Sequence, residues 1–207
     1  MTAPSAPSLS DPIIYDPKQH AHLLPQVAQI HADCITKDNT LATFLPPLSH
    51  DKILASWTTW SDQVVAGSRV ILLQLAAAGD GEVVAGVVSL ACPETETGSH
   101  RGEVGRLLVS PEFRKKGIAR RLMDALEVVA KERERWLLVR QLFLLLYLVF
   151  CTDIRKMLDT TIGSGAEHVY PKLGYKEVGV IPRYGFSPDD RRLRDEVFFY
   201  KDLKHGD

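Results

Sequence analysis

Apolar and polar positions in the first half of this chain follow a helical period in two segments and a strand period in two more. Apolar side chains recur every three or four residues in Ala21–Cys34 and in Ser49–Val65, which predicts two amphipathic helices. Branched apolar runs in Arg69–Leu75 and Val83–Ala91 are separated by the turn residues Gly79-Asp80-Gly81, which predicts a β-hairpin. The first half is therefore predicted to supply two helices and the beginning of a sheet.

The second half alternates strands with helices. A strand over Val104–Val109 precedes a long amphipathic helix over Ile118–Arg135, and a further strand begins at Trp136. A short helix is predicted over Ala166–Leu173. The remaining predicted strands are Ile13–Tyr15, Tyr175–Ile181 and Glu196–Leu203. This order of elements predicts an α/β (α+β) fold, with a mixed sheet that carries helices on its faces.

Composition points to one soluble globular domain. Apolar residues make up 45% of the 207 residues, enough for a sizeable core, and charged residues make up 25% with a net charge of −1. Such a balance gives no general electrostatic attraction to nucleic acid or to an anionic membrane, so neither is an expected partner. The Pro-, Ser- and Ala-rich residues 1–12 are expected to form a flexible leader before a single domain over residues 13–207.

The cysteines and one apolar run bear on localisation. Cys34, Cys92 and Cys151 are far apart and odd in number, and they form neither a metal-ligand spacing nor a disulfide framework. A reducing compartment is therefore favoured, and we expect a cytoplasmic protein without a bound metal. The run Leu142–Cys151, LFLLLYLVFC, is too short to cross a bilayer core of roughly 30 Å, so a transmembrane helix is not predicted.

The turn between the Val104–Val109 strand and the following helix has the composition of an anion site. Arg114–Ala119 reads RKKGIA, and the helix that follows it begins with backbone N–H groups that have no intrahelical acceptor. Gly117 permits close approach of a ligand, and Arg120 adds charge next to the basic turn. A solvated basic helix start explains the same residues, because this pattern alone is weak. The GxGxxG and Walker A patterns are absent, which disfavours those classes of phosphate site.

Two longer segments carry a family resemblance. The segment EVGRLLVSPEFRKKGIARRLMDALE resembles the acetyl-CoA signature of the GNAT superfamily of N-acetyltransferases. Downstream, GSGAEHVYPKLGYKEVGVIPRY resembles the second motif of that superfamily, in which a helix with a tyrosine precedes a strand. The resemblance covers about Glu82 to Leu203 and is nearest to the small-molecule acetyltransferases of the tabtoxin-resistance type. It implies a GNAT fold, with a mixed sheet of six to seven strands and about four helices.

The resemblance also implies a donor and its binding residues. Acetyl-CoA would be the acetyl donor, and the amine of a small molecule would attack its thioester directly. The end of the central strand would hold the pantetheine arm, and the RKKGIA turn would bind the pyrophosphate. Many relatives have an asparagine where this chain has Gly163, so the neighbouring Ser164 is expected to replace that contact. The implied cofactor-binding residues are Leu107, Leu108, Val109, Arg114, Lys115, Lys116, Gly117, Ile118, Ala119, Arg120 and Ser164.

Catalytic and acceptor residues are implied in the same way. Tyr170 matches the tyrosine that protonates the leaving sulfur in the superfamily, although a helix tyrosine also packs against a sheet for structural reasons. Glu103 matches a position where relatives carry a water-mediated base, and a solvated strand-end carboxylate explains it equally well. Weaker candidates for the base are Asp33, Asp159 and His100. Trp57 and Trp60 lie three apart on a helix, where they form either core or a wall of the acceptor site.

An apolar stretch interrupts the expected fifth strand. In the family pattern the strand that begins near Trp136 continues almost directly into LDTT and GSGAEH, but here Val139–Lys156 intervenes. Our hypothesis is that this stretch is a translated intron: valine codons begin with GT, a lysine codon can end with AG, and Thr152-Asp153 can encode the branch sequence CTGAC. A genuine apolar insertion that binds a partner or forms a dimer is the alternative.

The insertion leaves two functions open. A competent N-acetyltransferase is favoured by the RKKGIA turn and Tyr170, whereas the interrupted strand favours a non-catalytic or impaired acyl-CoA-binding module. A protein acceptor is less favoured than a small molecule, because no segment that would read a peptide is evident. Oligomeric state stays open, although homodimers are common in the superfamily.

Overall fold

The computed structural model describes residues 9–38, 44–79, 81–94, 96, 98–140, 158–163 and 166–204. Within those residues eight strands form one mixed sheet, which five α-helices accompany. The strands are β1 (Ile13–Ile14), β2 (Arg69–Ala78), β3 (Gly81–Ala91), β4 (Arg101–Val109), β5 (Leu137–Arg140), β6 (Leu158–Thr161), β7 (Lys176–Phe186) and β8 (Leu193–Asp202). The helices are α1 (Pro17–His20), α2 (Leu24–Asp38), α3 (His50–Val65), α4 (Ile118–Glu132) and α5 (Val169–Lys172).

The topology confirms the predicted mixed fold. The hydrogen-bonded neighbours run β1-β2-β3-β4-β5-β8, and β6 and β7 also pair with β8, at opposite edges. The β4–β5 pair is parallel, and the other described pairs are antiparallel. The helix α4 provides the crossover that a parallel pair requires. One strand beyond the six or seven expected arises because the predicted fifth strand is divided between β5 and β6.

Local chemistry explains where the long helices begin and end. Ser49 is extended and its side chain accepts a hydrogen bond from the Lys52 backbone N–H, which caps the first turn of α3. Gly117 has φ 74° immediately before α4, a conformation that glycine adopts without steric cost. The predicted end of α4 at Arg135 is wrong by three residues, because the helix ends at Glu132 and Glu134 then has φ 58°.

Two apolar layers enclose the sheet. One face packs against α4 and α5, and its core includes Val88, Val104, Leu122, Leu126, Tyr170 and Phe199. The opposite face packs against α2 and α3, and its core includes Val27, Ile53, Trp57, Trp60, Val87 and Leu108. The middle of β3 contributes to both faces and is buried throughout. This is the pattern of a central strand that is covered on both sides.

β5 and β6 are successive segments of one ladder along β8. Leu138 faces Lys201, and Leu158 faces Phe199. Two residues along β8 therefore correspond to 20 residues along the chain, so the chain contains 18 residues more than a continuous antiparallel strand requires. β7 occupies the opposite edge of β8, so β5 and β6 share the edge that remains.

Some sequence predictions fall on residues outside the described ranges. They are most of the leader, the apolar run Leu142–Cys151 and the predicted cofactor residue Ser164. None of the described helices combines the length and the apolar character needed to cross a membrane.

Candidate active site

A β-bulge bends the central strand where the donor site was predicted. Val87 of β3 faces Leu108, but Ser89 faces Gly105, so three steps along β4 match two along β3. Arg106 takes up the extra residue with φ 49°. In the described residues the ladder between β4 and β5 reaches only Val104. The segment of β4 that contains Leu107, Leu108 and Val109 therefore lies past the last described pairing with β5.

The RKKGIA turn has the backbone geometry of an anion site. Lys115 has φ 60° and Gly117 has φ 74°, so two left-handed residues reverse the chain just before α4. The first hydrogen bond of the helix runs from the Arg121 N–H to the Gly117 carbonyl, which leaves the N–H groups of the preceding residues without an intrahelical acceptor. A Cβ placed on Gly117 would meet no atom within 4 Å, so the space in front of this glycine is open.

Charge around the turn is positive. The first turn of α4 contains no acidic residue, so nothing there neutralises the helix dipole. Lys115, Lys116 and Arg120 are exposed, and the Lys116 ammonium lies 4.9 Å from the centre of the Phe113 ring. Arg114 is half-buried and donates a hydrogen bond to the Cys34 sulfur at 3.7 Å, so α2 also contacts the turn.

Tyr170 is brought to the same side of the sheet as this turn. Its ring is buried, 5.7 Å from the rings of both Tyr175 and Phe199. The Arg120 guanidinium donates to the Lys172 carbonyl at 3.0 Å, which ties α5 to the first turn of α4. The structure thus joins the helix of the predicted acid to the predicted pyrophosphate site. It also places the Tyr170 ring in the core, as the packing interpretation expected.

Glu103 is buried beside a buried cation. Its carboxyl group raises the pKa of Arg69, although burial is the larger effect and lowers that pKa to about 10. Strands rise about 3.3 Å per residue, so Glu103 lies roughly 13 Å from Leu107 along β4. A direct proton transfer over that distance is excluded, and only a chain of water molecules would link Glu103 to an amine near the end of β4.

Trp57 and Trp60 are core residues that also hold two arginines. Their rings meet edge to face at 5.1 Å, and both are almost completely buried. The Arg106 guanidinium carbon lies 3.8 Å from the Trp60 ring centre and 4.9 Å from that of Trp57. Arg69 lies 3.8 Å from the same Trp60 ring. The sequence predicted the tryptophans as core or acceptor wall, but gave no signal for the buried Arg106.

His31 completes this cluster and was likewise missed. It is fully buried on α2, and its Nδ1 accepts a hydrogen bond from the Trp57 Nε1 at 3.3 Å. Burial, with a smaller contribution from Arg106, lowers the pKa of His31 to about 3, so the ring is neutral near pH 7. Its position on the apolar stripe of α2 was the only available signal, and a core histidine produces the same signal.

The weaker candidates have ordinary partners or are not described. Asp33 forms an ion pair with Lys37 at 3.1 Å on the surface of α2. His100 stacks on Trp136 at 4.5 Å, away from the end of β4. The backbone of Asp159 pairs with Phe198 in the β6–β8 ladder. Gly163 has φ 90°, so an asparagine at this position would be strained. The Gly163 N–H donates a hydrogen bond to the Glu167 side chain.

Comparisons with known proteins give the family and the fold of the chain. A sequence profile of the acetyltransferase (GNAT) family matches residues 36–142, just over half of the chain. A putative acetyltransferase from Acinetobacter baylyi has a similar structure, with 18% identity, coverage of 96% of this chain and 94% of that one, and a TM-score of 0.67.

Two further solved structures share the fold. A ribosomal-protein-alanine N-acetyltransferase from Brucella melitensis is 22% identical over 92% of this chain and 99% of its own, with a TM-score of 0.66. A putative acetyltransferase from Salmonella typhimurium, solved with its cofactor acetyl-CoA, is 16% identical over 97% and 96% of the two chains, with a TM-score of 0.64. At these identities the structural likeness establishes the fold, whereas the profile match establishes the family.

Proposed function

The chain belongs to the GNAT family of N-acetyltransferases, whose acetyl donor is acetyl-CoA, and we propose that its acceptor is the amine of a small molecule. The amine attacks the thioester directly. The observation that carries this proposal is the continuous segment from β4 through the RKKGIA turn to α4, which combines a bulged strand end with an uncompensated helix start. The small acceptor is favoured by the resemblance of the two sequence motifs to the small-molecule acetyltransferases of the tabtoxin-resistance type.

The residues of the turn fit the pyrophosphate of acetyl-CoA. The N–H groups at the start of α4 and the charges of Lys115, Lys116 and Arg120 suit a doubly charged anion, and the absence of an acidic residue in the first turn of α4 leaves them unopposed. Leu107, Leu108 and Val109 would hold the pantetheine arm through their backbone groups. When bound, acetyl-CoA supplies an activated acyl group, and the protein supplies position and proton transfer.

Proton transfer requires one acid and one base. An alkyl amine has a pKa of about 10.4 and a thiol a pKa of about 8.5, so the attacking amine must lose a proton and the sulfur gains one. Tyr170 is proposed as the group that protonates the sulfur, because the contact between Arg120 and Lys172 keeps its helix beside the turn. Glu103 is proposed as the base and would act through a chain of water molecules.

Thiol release from acetyl-CoA across a panel of amines tests the proposal. Amino acids, polyamines and aminoglycoside antibiotics cover the main acceptor classes, and mass spectrometry should find one added acetyl group on the accepted amine. The control is the same reaction without an amine, which measures simple hydrolysis of the thioester. If no amine raises thiol release above the hydrolysis rate, the proposed function is wrong.

A second candidate function is an acyl-CoA-binding module without turnover. The observation that favours it is the break between β5 and β6, which interrupts the strand beside β4 and the sheet on which Tyr170 packs. Calorimetric binding of acetyl-CoA without thiol release, both in the full chain and in a chain that lacks Val139–Lys156, would favour this candidate over the enzyme.

A further inference from the structure

A buried guanidinium between α3 and β4 has one nitrogen without an acceptor. Arg106 is 9% exposed, and its Nη2 donates to the Ser56 hydroxyl at 2.7 Å. Its Nη1 is buried and has no hydrogen-bond partner among the described residues. Burial, together with the charge of Arg69, lowers the pKa of Arg106 to about 9, so it still carries its charge near pH 7. Buried charges are ordinarily paired, but among the described residues only the like charge of Arg69 acts on this one.

His31 contributes a second unpaired donor beside the same tryptophan. Because its Nδ1 accepts from Trp57, the ring proton of the neutral imidazole lies on Nε2. That Nε2 is buried and has no partner among the described residues. Trp57 therefore contacts two groups, the imidazole of His31 and the guanidinium of Arg106, and each presents an N–H that has no acceptor in the described part of the chain.

Arg69 shows what a satisfied arginine looks like in this environment. It is as deeply buried as Arg106 and lies on the same Trp60 ring at the same distance. Its Nε donates to Gln63 at 2.7 Å and its Nη1 donates to Ser89 at 3.0 Å. An unsatisfied buried donor destabilises the folded protein, so the difference between the two arginines calls for a ligand at Arg106.

We propose that α2, α3 and β4 enclose a site for a carboxylate of the acceptor, which receives hydrogen bonds from Arg106 Nη1 and His31 Nε2. The acceptor class is then an amine that carries a carboxylate, such as an amino acid. Arg106 directly precedes Leu107 in β4, so a carboxylate held there keeps the nearby amine close to the donor segment. This inference rests on the small-molecule acceptor proposed above. Phe44 is half-buried and packs edge-on against the His31 ring at 5.5 Å, so it lies beside the proposed site.

Product binding tests the site independently of turnover. The probes are N-acetylamino acids and the matching carboxamides, titrated in the presence of CoA. Trp57 and Trp60 flank Arg106, so their fluorescence in a Trp136→Phe background reports on the site directly. We expect the acids to bind at least about tenfold more tightly than the amides, as a charge-assisted hydrogen bond requires.

Variants separate this site from general damage to the core. Arg106→Gln should reduce acid binding to the level of the amides, whereas Arg69→Gln should keep the preference for acids. Arg106→Lys keeps the charge but not the planar fork, so it should give an intermediate preference for acids. This variant takes the place of Arg106→Gln if Arg106→Gln does not fold. Equal binding of acids and amides to the parent protein, or a preference that survives in both Arg106 variants, would overturn the proposal. Absence of thiol release with every amine contradicts the proposed function but leaves this binding result readable.

The ladder along β8 carries a second inference through different residues. The excess of 18 residues between β5 and β6 equals the length of Val139–Lys156, the stretch that motif spacing alone identified. The family profile also ends at residue 142, just inside this stretch. We infer that β5 and β6 were one strand and that a translated intron of 18 codons divides them. A single residue then faces Tyr200 between Leu138 and Leu158.

Register and codons select the same boundaries. Only two windows of 18 whole codons leave one residue opposite Tyr200, namely 139–156 and 140–157. The first begins with a valine codon, which starts with GT, and ends with lysine, which AAG encodes. The second begins with arginine and ends with methionine, and neither codon set supplies those bases. With codon-aligned boundaries, the structure therefore assigns the inserted segment to Val139–Lys156.

Two measurements test this inference. Amplification across the segment from mature messenger RNA should give a product that lacks the 18 codons. Deletion of residues 139–156 should raise the melting temperature and soluble yield of the protein. The matched control is deletion of residues 139–155, because a slip of one residue moves every side chain of the strand to the other face, and this variant should be less stable than the first. Messages that all retain the codons overturn the intron, and equal stability of the two deletions overturns the single strand.

Discussion

The two halves of the sheet differ in continuity. β1 to β4, here the N-terminal half-sheet, pair in sequence order as antiparallel neighbours, and β2 and β3 are buried over most of their length. β5 to β8, here the C-terminal half-sheet, contain the divided ladder along β8. Its outer strand β7 exposes several apolar side chains, namely Val178, Val180, Ile181 and Tyr184. Burial on both faces thus characterises the first half, and an interrupted, partly exposed edge characterises the second.

This difference separates two steps of the proposed reaction. The proposed donor site lies at the end of β4, which belongs to the N-terminal half-sheet, and at the start of α4, which packs on that half-sheet. The proposed acid, Tyr170, packs on Phe199 of β8 in the C-terminal half-sheet. Damage to the second half should therefore reduce turnover more than it reduces donor binding. The following predictions test that separation.

The largest expected effect is a loss of stability from the core of the N-terminal half-sheet. Leu122 of α4 is fully buried, whereas Leu173 next to α5 is 9% exposed. Leu122→Ala should lower the free energy of unfolding by about 4 kcal/mol, and Leu173→Ala by about 2 kcal/mol, because the deeper site leaves the larger cavity. Urea unfolding of the two variants measures both values. An equal loss in the two variants would contradict the difference in burial between the halves.

The hydrophobic pattern was sufficient to predict most of the helices and strands, but not the proposed carboxylate site at Arg106 and His31. Helical and alternating periods located α2, α3, α4 and the β2–β3 hairpin, because each buries a regular apolar stripe. Periodicity alone did not predict β6, since its four residues LDTT carry one apolar side chain large enough to mark a face; only the family pattern placed LDTT in the fifth strand. Arg106 and His31 escaped because burial of a polar group depends on tertiary neighbours that no local pattern records.

The next effect concerns turnover and uses two neighbouring tyrosines. Tyr170→Phe removes the proposed acid, so kcat should fall by about 100-fold while the KM for acetyl-CoA changes little. Tyr175→Phe is the matched control, because its ring lies 5.7 Å from Tyr170 in the same core. Burial raises the pKa of Tyr175 well above its ordinary value, with additional contributions from Glu127 and Tyr170, so this hydroxyl stays protonated.

The control should leave kcat unchanged. The Tyr175 hydroxyl is buried without a partner among the described residues, so its removal should leave the free energy of unfolding equal or raise it by about 1 kcal/mol. Steady-state rates and urea unfolding of both variants give the comparison. If the two variants lose kcat alike, Tyr170 acts through packing of the C-terminal half-sheet and not as the acid.

A third effect is a loss of stability in mild acid that arises in the N-terminal half-sheet. The pKa of His31 is lowered from 6.5 to about 3, mainly by burial, so the unfolded chain binds a proton below about pH 6.5 while the folded protein does not. The contribution is fully present above pH 6.5 and is lost as the pH falls, by about 2 kcal/mol between pH 8 and pH 5. His31→Asn keeps an acceptor for Trp57 and should remove most of this slope in urea unfolding. A slope that persists in His31→Asn would assign the acid sensitivity to another group.

The smallest effect isolates donor binding in the N-terminal half-sheet. Lys116 lies in the turn before α4, and Lys131 lies in the last turn of the same helix, both exposed. Lys116→Glu should raise the KM for acetyl-CoA by roughly tenfold with kcat almost unchanged. The negative charge repels the pyrophosphate and partly neutralises the positive end of the helix dipole that would bind it. Lys131→Glu should leave the KM unchanged.

Because salt screens exposed charges, the difference between the variants should shrink as ionic strength rises toward 1 M. The same ratio of KM values should hold after deletion of residues 139–156, since the divided ladder lies outside the donor site; a ratio that changes in that background would show that the two halves are coupled.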